Sequence, residues 1–396
     1  MPDTILVLNS GSSSVKFALF DVSATEPALL CKGLLDQHEA KPRLVVKGPA
    51  GEDLFEMKKE APDAAGGHLF ADVLAFIEDR FGERSLRAVG HRIVHGGADY
   101  SGPMILTDDV TAKLEALTPL APLHQPRCLA PVRTFAAIRP ELTQIACFDT
   151  AFHHGLAPPA SRVAIPGRFE ARGVRRYGFH GLSFEFVAGR LAEIAPELAA
   201  GRTVIAHLGN GASLCALRDG RSIDTTMGLT PLDGLVMGTR CGTIDPGVLL
   251  YLQQHENMSV EEVQRLLYHE SGLFGVSGIS ADMRTLLASP EAAAREAVEL
   301  FTFRAAQQVA MMATTLGGLD CLVFTGGIGE NAGEIRSAIA ERLAWMGVRI
   351  DAAANDAARE RINASGSAVG IFVIPTNEEM MIARHCAVSI GTRPVT

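Results

Sequence analysis

The sequence lacks several features that would place the chain in a specialised class of protein. No run of apolar residues approaches the ~18 that a membrane-spanning helix requires. Residues 1–10 carry no basic region before their short apolar run, which argues against a signal peptide. The seven cysteines are scattered and never form a CxxC pair, so neither a disulfide framework nor a zinc site is expected. We therefore expect a soluble, cytoplasmic protein with reduced thiols.

Basic residues are fewer than acidic ones. The 396 residues include 36 Lys and Arg against 45 Asp and Glu, which gives a formal charge of −9. A mildly acidic surface argues against nucleic acid or an anionic membrane as the main partner, although it allows a small anionic ligand in a locally basic site. At ~150 residues per domain, the length predicts two or three domains.

Two segments whose central glycines, Gly11 and Gly211, lie 200 residues apart share one pattern. Residues 4–21 (TILVLNSGSSSVKFALFD) and 203–219 (TVIAHLGNGASLCALRD) each predict a strand, a glycine-rich turn and a second strand. The separation is too long for a solenoid repeat and suggests a duplicated domain. This pattern alone leaves duplication and chance equally open.

Further strand–loop–helix units predict an α/β architecture, in which ligands bind beyond the carboxyl ends of the strands. Apolar runs at 144–148, 319–325 and 370–374 each end in a polar or glycine-rich loop. The strongest helix signal begins at an N-cap Ser289 and runs to Leu316, where two glycines end it. A proline-rich stretch at 155–166 predicts a domain junction, and residues 38–68 predict a peripheral segment with weak structure.

Three glycine-rich turns follow predicted strands, at 9–13, 207–211 and 326–330. Glycine allows backbone N–H groups to converge on phosphate oxygens. Each turn by itself is also compatible with an ordinary tight turn, and neither a Walker A loop nor GxGxxG after the first strand is present. The three together indicate a nucleotide polyphosphate. Lys16 could reach the same phosphates from the second strand, although a solvated strand lysine is an equal alternative.

Cationic side chains stand in loops beside glycine or proline. Arg92 lies in HRIVHGG (91–97), His124 in PLHQP (122–126), His180 in RRYGFHG (175–181) and Arg240 in GTRCG (238–242). A guanidinium can hold a carboxylate or phosphate through two bonds, and phosphoryl transfer needs such groups to stabilise charge. Purely structural packing is an alternative of about equal weight for each.

Oxygen-bearing side chains also occur where predicted strands end. Asn9, Asp149 and Glu378 are hard donors suited to Mg²⁺ held together with water and phosphate. Buried helix caps would give the same pattern.

Ten motifs in order make the chain resemble the acetate kinases, the acetokinase family, along nearly its whole length. The motifs are LNSGSSSVKF (8–17), GHRIVHGG (90–97), PLHQP (122–126), FDTAFH (148–153), RRYGFHG (175–181), AHLGNGAS (206–213), DTTMGLTPLDGLVMGTR (224–240), SGLFGVSG (271–278), FTGGIGEN (324–331) and IPTNEE (374–379).

The resemblance implies an actin/Hsp70/sugar-kinase fold with two duplicated βββαβα domains and the active site in the cleft between them. It implies an N-terminal domain of residues 1–150 plus 385–396 and a nucleotide-binding domain of residues 151–384. The implied activity is reversible transfer of the γ-phosphoryl of ATP to acetate, giving ADP and acetyl phosphate. The implied cofactor is Mg²⁺, with Mn²⁺ as a substitute, and the implied assembly is a homodimer.

The resemblance also implies the roles of individual residues. Asn9 and Glu378 would contact Mg²⁺. Arg92 would hold the acyl carboxylate, with its alkyl end against Val94, Leu123, Phe179 and Pro231. Asp149, His180, Arg240 and His124 would form the catalytic set. The residues implied to contact ATP are Lys16, His207, Leu208, Gly209, Asn210, Gly211, Asp282, Met283, Arg284, Gly327, Ile328, Gly329, Glu330 and Asn331.

Asp149 is interpreted as a positioning group. A free carboxylic acid has a pKa near ~4 and is already ionised at neutral pH, so the acceptor has no proton for a base to remove.

The sequence departs from the family motifs at a few positions. Gln125 stands where the family has Asn, and Leu182 and Phe184 stand where it has Thr and His. Cys241 and Thr243 stand where it has Ser and Asp. Leu182 and Thr243 are expected to remove polar groups near the transfer centre, so the departures leave the rate and the preferred acid open.

Three alternatives remain beside acetate. Propionate or butyrate would need only a larger pocket. A nucleotide-gated binding protein of the actin or Hsp70 kind would not need the set Arg92, His180 and Arg240. A sugar kinase would need a carboxylate base facing a hydroxyl group, and paired arginines suit an anionic acceptor better.

Overall fold

The computed structural model describes residues 3–10, 14–36, 43–58, 67–82 and 86–391. The chain forms two compact units, the first made of Met1–His154 with Asn377–Thr396 and the second of Gly155–Thr376. The proline-rich stretch 155–166 begins the second unit. The second unit ends at Thr376, whereas the family resemblance implied that the second domain would extend to residue 384.

The first unit is built on one sheet, whose strands run in the order β5-β4-β3-β2-β1-β6-β8-β7 among the described residues. β1 is antiparallel to β2 and parallel to β6, and β6 is parallel to β8. The strands are β1 (Thr4–Ser10), β2 (Ser14–Asp21), β3 (Ala28–Asp36), β4 (Arg43–Lys47), β5 (Asp53–Lys58), β6 (Leu86–Ile93), β7 (Met104–Ile105) and β8 (Thr143–Phe148).

β4 and β5 correct the prediction of weak structure over residues 38–68. Alternate residues of β4 point inward, so Leu44 and Val46 are completely buried in a core that also contains Phe70 and Val73 of helix α1 (Gly67–Phe81). Burial of one face is what holds an added strand on a sheet. Residues 38–42 and 59–66 of the predicted segment lie outside the described residues.

The second unit repeats the central plan of the first. Its sheet has the order β11-β10-β9-β12-β13, with β9 antiparallel to β10 and parallel to β12. Strands β3-β2-β1-β6-β8 follow the same order with the same directions, so the predicted duplicated α/β architecture is confirmed. The strands are β9 (Arg202–Leu208), β10 (Ala212–Arg218), β11 (Arg221–Thr225), β12 (Cys321–Thr325) and β13 (Gly370–Val373).

Helices cover both sheets. Those after α1 are α2 (Asp108–Ala116), α3 (Gln125–Ile138), α4 (Gly167–Glu170), α5 (Gly181–Ile194), α6 (Pro196–Ala199), α7 (Pro246–Gln254), α8 (Val260–His269), α9 (Gly272–Ser277), α10 (Met283–Ala288), α11 (Ala292–Leu316), α12 (Gly326–Asn331), α13 (Gly333–Arg342), α14 (Ala352–Asp356) and α15 (Glu378–Ser389). Short 3₁₀ turns occupy 118–120, 151–153 and 344–346. None of the described helices is both long and apolar enough to cross a bilayer.

The long helix α11 ends where the sequence predicted, at Gly317, whose φ of 72° stops the helix. Its start is later than predicted. Glu291 is the N-cap, and the Ser289 hydroxyl accepts a bond from the Glu291 amide, so the chain is still extended at Ser289. The predicted turn 326–330 is also different, since it forms the first residues of helix α12.

Helix α15 returns to the first unit and packs on β1, β6 and β8. Gly90 permits this approach, because a Cβ there would lie 2.6 Å from Cys386 Sγ and Ile382 Cγ2. All seven cysteines are free, and burial raises the pKa of Cys31 and Cys128 to about 11, as expected for thiols that serve as small core residues.

Buried His91 makes the stability of the first unit depend on pH. Burial lowers its pKa from the ordinary 6.5 to about 4, while a hydrogen bond with Gln144 acts in the opposite direction. The folded state therefore resists protonation, and stability falls as the pH drops below 6.5. Between pH 7.5 and 5, His91 alone should lower the free energy of unfolding by about 2 kcal/mol.

Urea unfolding of the wild type and His91→Asn at both pH values measures this effect. The loss on acidification should be about 2 kcal/mol larger for the wild type. Equal losses in the two proteins would show that His91 is not the titrating group.

Candidate functional site

The carboxyl end of β1 brings an amide against two carboxylates. Asn9 Nδ2 donates to Glu378 Oε2 and to Glu379 Oε1, each at 3.0 Å. Both glutamates lie in the first turn of α15, where the helix dipole favours negative charge, and Asn377 caps that turn through Met380 N. Glu379 was not among the predicted site residues, although its position beside Glu378 is a signal that could have indicated it.

Arg92 and Asp149 form a two-bond ion pair at the ends of neighbouring parallel strands. Arg92 Nε donates to Asp149 Oδ1 at 2.9 Å and Nη2 donates to Oδ2 at 2.6 Å. Arg92 Nη1 also donates to Asn9 Oδ1 at 3.1 Å, and Nε lies 3.7 Å from Glu378 Oε2. The side chains are 16% and 2% exposed, so solvent screens the pair weakly.

Electrostatics keep the Arg92 guanidinium charged. Burial is the largest influence and lowers its pKa, but attraction from Asp149 and then Glu378 raises the pKa well above the ordinary value overall. A guanidinium has five N–H donors. Because three of them face Asp149 and Asn9, two remain for a further anion such as the predicted carboxylate.

The departure at Gln125 is accommodated by a buried amide network. Gln125 Oε1 accepts from His95 N at 3.1 Å, while Nε2 donates to His95 O and Leu114 O at 3.0 Å. These bonds fix the loop that follows β6 and carries buried Val94. His124, the N-cap of α3, and Leu123 are half-buried beside it.

In the second unit, two histidine rings stack with centroids 4.4 Å apart and an angle of 18° between planes. His180 Nδ1 bonds Ser213 Oγ at 2.9 Å, and His207 Nδ1 bonds Ser183 Oγ at 2.8 Å. His180 adopts a left-handed backbone conformation with φ of 56°, which is uncommon for a residue other than glycine and frequent at functional sites.

The departures Leu182 and Phe184 lie in the buried face of α5. Phe184 meets the His207 ring edge-on, with centroids 6.3 Å apart. An apolar residue at this position therefore helps to fix the orientation of His207.

Arg240 and His180 converge on the loop between β9 and β10. A Cβ on Gly211 would lie 2.8 Å from Arg240 Nη2 and 3.2 Å from His180 Nε2, so a larger residue there would displace the Arg240 guanidinium. Arg240 Nη1 donates to the carbonyl of buried Pro231 at 2.6 Å. Phe179 is buried next to His180. The equivalent turn in the first unit, with Gly11 to Ser13, lies outside the described residues.

Thr243 corrects the expected loss of a polar group. Its hydroxyl donates to Asp233 Oδ1 at 2.7 Å and accepts from Gly234 N at 3.3 Å, which ties the loop containing Arg240 to the loop after Pro231. Cys241 is half-buried, and burial raises its pKa, so it remains a neutral thiol.

A cavity of about 820 Å³ opens beside the β9–β10 turn in the second unit. It gathers residues of the β9–β10 turn, the segment 281–287 and helices α12 and α13, as predicted for ATP. The lining residues are Gly209, Asn210, Ala281, Asp282, Met283, Arg284, Leu287, Gly327, Ile328, Asn331, Ala332, Gly333 and Glu334. Eight of these residues were predicted. Ala281, Leu287, Ala332 and Gly333 were missed because their apolar or small side chains carry no chemical signal, and Glu334 was missed because it lies beyond the last matched motif residue in this stretch, Asn331.

Several residues predicted to contact ATP do not line this cavity. Leu208 and Gly329 are buried, and Glu330 Oε1 accepts from Gly326 N at 3.0 Å and from Thr376 N at 3.1 Å. Lys16 is exposed on β2 of the first unit, in register with Asn9.

Asp282 and Arg284 form the polar edge of the cavity. Asp282 caps α10 by accepting from Arg284 N at 2.8 Å, and its carboxylate pairs with the Arg284 guanidinium at 2.6 Å. Arg284 is 89% exposed, so this pair contributes little to stability.

The donor set around Asn9 fits Mg²⁺. Glu378 Oε2 and Glu379 Oε1 both lie 3.0 Å from the same amide nitrogen, so two carboxylate oxygens converge on one point. Mg²⁺ in kinases is held by one or two carboxylates with water and phosphate oxygens. No cluster of three or more His, Cys, Asp or Glu suited to a metal ion occurs in the described ranges.

Removing one member of the Arg92–Asp149 pair should be costly. Asp149→Ala leaves a buried guanidinium with only Glu378 as a nearby counter-ion, and we expect the unfolding free energy to fall by about 3 kcal/mol. The double variant Arg92→Met/Asp149→Ala should lose less than the sum of the two single changes. Urea unfolding of all four proteins measures the coupling, and strict additivity would contradict the pairing.

The chain matches known proteins over nearly its full length. Acetate kinase of Rhodopseudomonas palustris (strain TIE-1) is 51% identical over 394 residues, covering 97% of this chain and 98% of the relative. Acetate kinase of Methylocella silvestris is 48% identical over 393 residues, with 97% of each chain covered.

Two solved structures have a fold similar to that of this chain. A propionate kinase from Francisella tularensis superimposes with a TM-score of 0.90 at 40% identity, covering 97% of this chain and 98% of that one. Acetate kinase of Porphyromonas gingivalis gives a TM-score of 0.87 at 35% identity, covering 98% and 100%. The sequence pattern of the family described as "Acetokinase family" matches residues 4–384. The chain therefore belongs to the acetokinase family.

Proposed function

We propose that this protein catalyses the reversible, Mg²⁺-dependent transfer of the γ-phosphoryl group of ATP to acetate, giving ADP and acetyl phosphate. The observation that carries the proposal is the convergence of Arg240 and His180 on Gly211, in the unit whose cavity gathers the predicted ATP-binding residues. Relatives 51% and 48% identical over almost the whole chain are named acetate kinase, which supports the same activity.

Charge stabilisation is the main task of the proposed catalytic groups. The attacking carboxylate and the transferred phosphoryl are both anionic, and the transition state spreads charge over the equatorial oxygens. Arg240 and His180 are preorganised donors, because Pro231 O holds one and Ser213 Oγ holds the other. Ser213 was not predicted from the sequence, although it lies within the motif AHLGNGAS.

Asp149 orients Arg92 in this proposal. Its carboxylate is engaged by the Arg92 guanidinium through two bonds, and the acid substrate is already ionised at neutral pH. Neither the contacts nor the chemistry calls for a general base. Arg92 would then offer its remaining N–H donors to the acetate carboxylate, with Val94 near its alkyl end.

ATP and Mg²⁺ are the proposed cofactors, and Glu378, Glu379 and Asn9 are the residues that would hold the metal. When bound, Mg²⁺ neutralises charge on the phosphate oxygens and helps to orient them. Asn9 would take part after rotation of its amide, since its oxygen now accepts from Arg92 Nη1 at 3.1 Å.

A propionate kinase is the second candidate, because the structure from Francisella tularensis with a TM-score of 0.90 is named for that substrate. One methylene is worth roughly 1–3 kcal/mol in a hydrophobic pocket, so the two acids would differ by a measurable but limited factor. We place acetate first because of the names of the relatives that are 51% and 48% identical.

The decisive experiment measures Mg²⁺-dependent ADP formation from ATP with acetate, propionate, butyrate or no acid, and traps the acyl phosphate with hydroxylamine. We expect turnover with trapped product, highest kcat/KM for acetate, and a loss of about tenfold or more for each added methylene. ADP release that ignores every acid would refute the proposal and favour a nucleotide-gated binding protein. A higher kcat/KM for propionate would reassign the substrate.

We also propose that the protein is a homodimer, as the family resemblance implies, and that it is cytoplasmic, as its scattered free cysteines predict. Analytical ultracentrifugation across a range of concentrations tests the assembly, and a monomer at every concentration would contradict it.

Arg240 should be required for the chemical step more than for binding. Arg240→Ala should lower kcat by ~10² or more, since one preorganised donor to a developing charge is worth about 3 kcal/mol. Steady-state kinetics with saturating ATP and acetate measure the change. Arg218→Ala, an arginine of the same unit whose guanidinium donates to Leu316 O, is the matched control and should retain kcat. A full-rate Arg240→Ala enzyme would exclude Arg240 from the mechanism.

A further inference from the structure

Arg336 is the largest completely buried side chain of the described residues, at 1% exposure on helix α13. Its guanidinium donates four hydrogen bonds. Nη1 donates to Gly329 O at 2.8 Å and to Glu330 O at 2.9 Å, while Nε donates to Asn355 Oδ1 at 2.6 Å and Nη2 to Asn355 O at 2.7 Å. No motif in the sequence predicts a functional role for Arg336.

All four acceptors are neutral. Within the described ranges no carboxylate lies within ion-pair distance of Arg336, in contrast to Arg92, which has two. Burial lowers the pKa of Arg336, and the more distant Asp356 opposes this change. A buried cation without a direct counter-ion is costly to desolvate, so a gain in stability alone does not explain Arg336.

Two of the four hydrogen bonds of Arg336 end on helix α12, which lines the cavity. Gly329 and Glu330 lie in its last turn, where backbone carbonyls have no partner within a helix. The other end of α12 is held by the Glu330 carboxylate, which accepts from Gly326 N at 3.0 Å and from Thr376 N at 3.1 Å. The short helix is therefore fixed at both ends by side chains.

Gly333 separates Arg336 from the cavity. A Cβ on Gly333 would lie 3.5 Å from Arg336 Nη2 and 3.2 Å from Asn355 Nδ2, and Gly333 itself lines the cavity. Asn355 is equally buried and donates to Gly333 O at 2.9 Å and to Ser337 Oγ at 3.1 Å. Arg336 and Asn355 thus form a buried layer directly behind one wall of the cavity.

We propose that Arg336, oriented by Asn355, is a positioning residue for nucleotide binding: it fixes helix α12 and the Gly333 wall in the geometry that receives the nucleotide. This inference rests on the proposed ATP-dependent function. The charge of Arg336 also favours nucleotide binding over acetate binding in this proposal. Among the described residues, Arg336 has no carboxylate within ion-pair distance, and a buried cation attracts an anionic phosphate chain bound nearby.

Three variants test the role, with one control on the same helix. Arg336→Met keeps the approximate length and removes the charge and the donors. Arg336→Lys keeps the charge but cannot span four acceptors, and Asn355→Ala removes the orienting side chain. Arg342→Met is the control, since Arg342 lies in the last turn of α13 and pairs with Glu299 at 3.3 Å.

Calorimetric titration with ADP and steady-state kinetics provide separate measurements. For Arg336→Met we expect the Kd for ADP and the KM for ATP to rise about tenfold or more. The rise should be smaller for Arg336→Lys and Asn355→Ala, on the order of threefold. The KM for acetate should stay unchanged and kcat should change less than about threefold. The Arg342→Met control should match the wild type in all four quantities.

The outcomes separate the two proposals. If Arg336→Met does not fold, Arg336→Lys and Asn355→Ala decide, and an ADP Kd within twofold of the wild type in both overturns the inference. An equal rise in the acetate KM with a fall in kcat would indicate general damage and also overturn it. If the wild type binds ADP but its ADP formation does not depend on any of the acids, the proposed kinase activity is refuted. The Kd values for ADP would then still test the role of Arg336. Wild type that does not bind ADP refutes both.

Discussion

The ion pair between Arg92 and Asp149 organises the candidate site of the first unit. Each residue lies at the carboxyl end of a parallel strand, and the hydrogen bonds between β6 and β8 set the distance between them. Once the two charges are buried and paired, Asn9 and Glu378 are fixed as well, because the guanidinium contacts both. Removal of Arg92 or Asp149 leaves the other residue without its two-bond partner in a weakly screened position, so the two residues act as one unit.

Arg92 and Arg336 show two ways to bury a guanidinium. Arg92 is held by carboxylates, which favours charge but occupies most of its donors. Arg336 is held by the side-chain amide of Asn355 and by backbone carbonyls. Two of its donors bond carbonyls of helix α12 and so stabilise the end of that helix. The Arg92 arrangement places a positive charge where an anion can bind. The Arg336 arrangement stabilises helix α12 on the side facing away from the cavity. Both depend on donors in a fixed planar fork, which lysine does not have.

The repeated sheet explains why these groups lie where they do. In each unit a central strand pairs antiparallel on one side and parallel on the other, and functional loops follow the carboxyl ends of the parallel strands. Asn9 lies near the carboxyl end of β1, and Gly209 directly follows β9. The two copies then diverge: the first collects carboxylates and an arginine, and the second collects glycines, histidines and an arginine.

The sequence alone predicts the α/β class and the strand–turn–strand repeat, because strand patterning and glycine-rich turns are local signals. Its resemblance to the acetokinase family, carried by ten motifs, implies most of the residues that line the cavity. It did not reveal that Arg92 is already engaged by Asp149, that Thr243 keeps a polar bond to Asp233, or that β4 and β5 extend the first sheet. It also gave no reason to single out Ser213, Glu379 or Arg336. These features depend on contacts between residues that lie 10 to 370 positions apart in sequence, such as Thr243 with Asp233, Arg336 with Asn355 and Asn9 with Glu379. Only the folded chain brings such partners within hydrogen-bond distance.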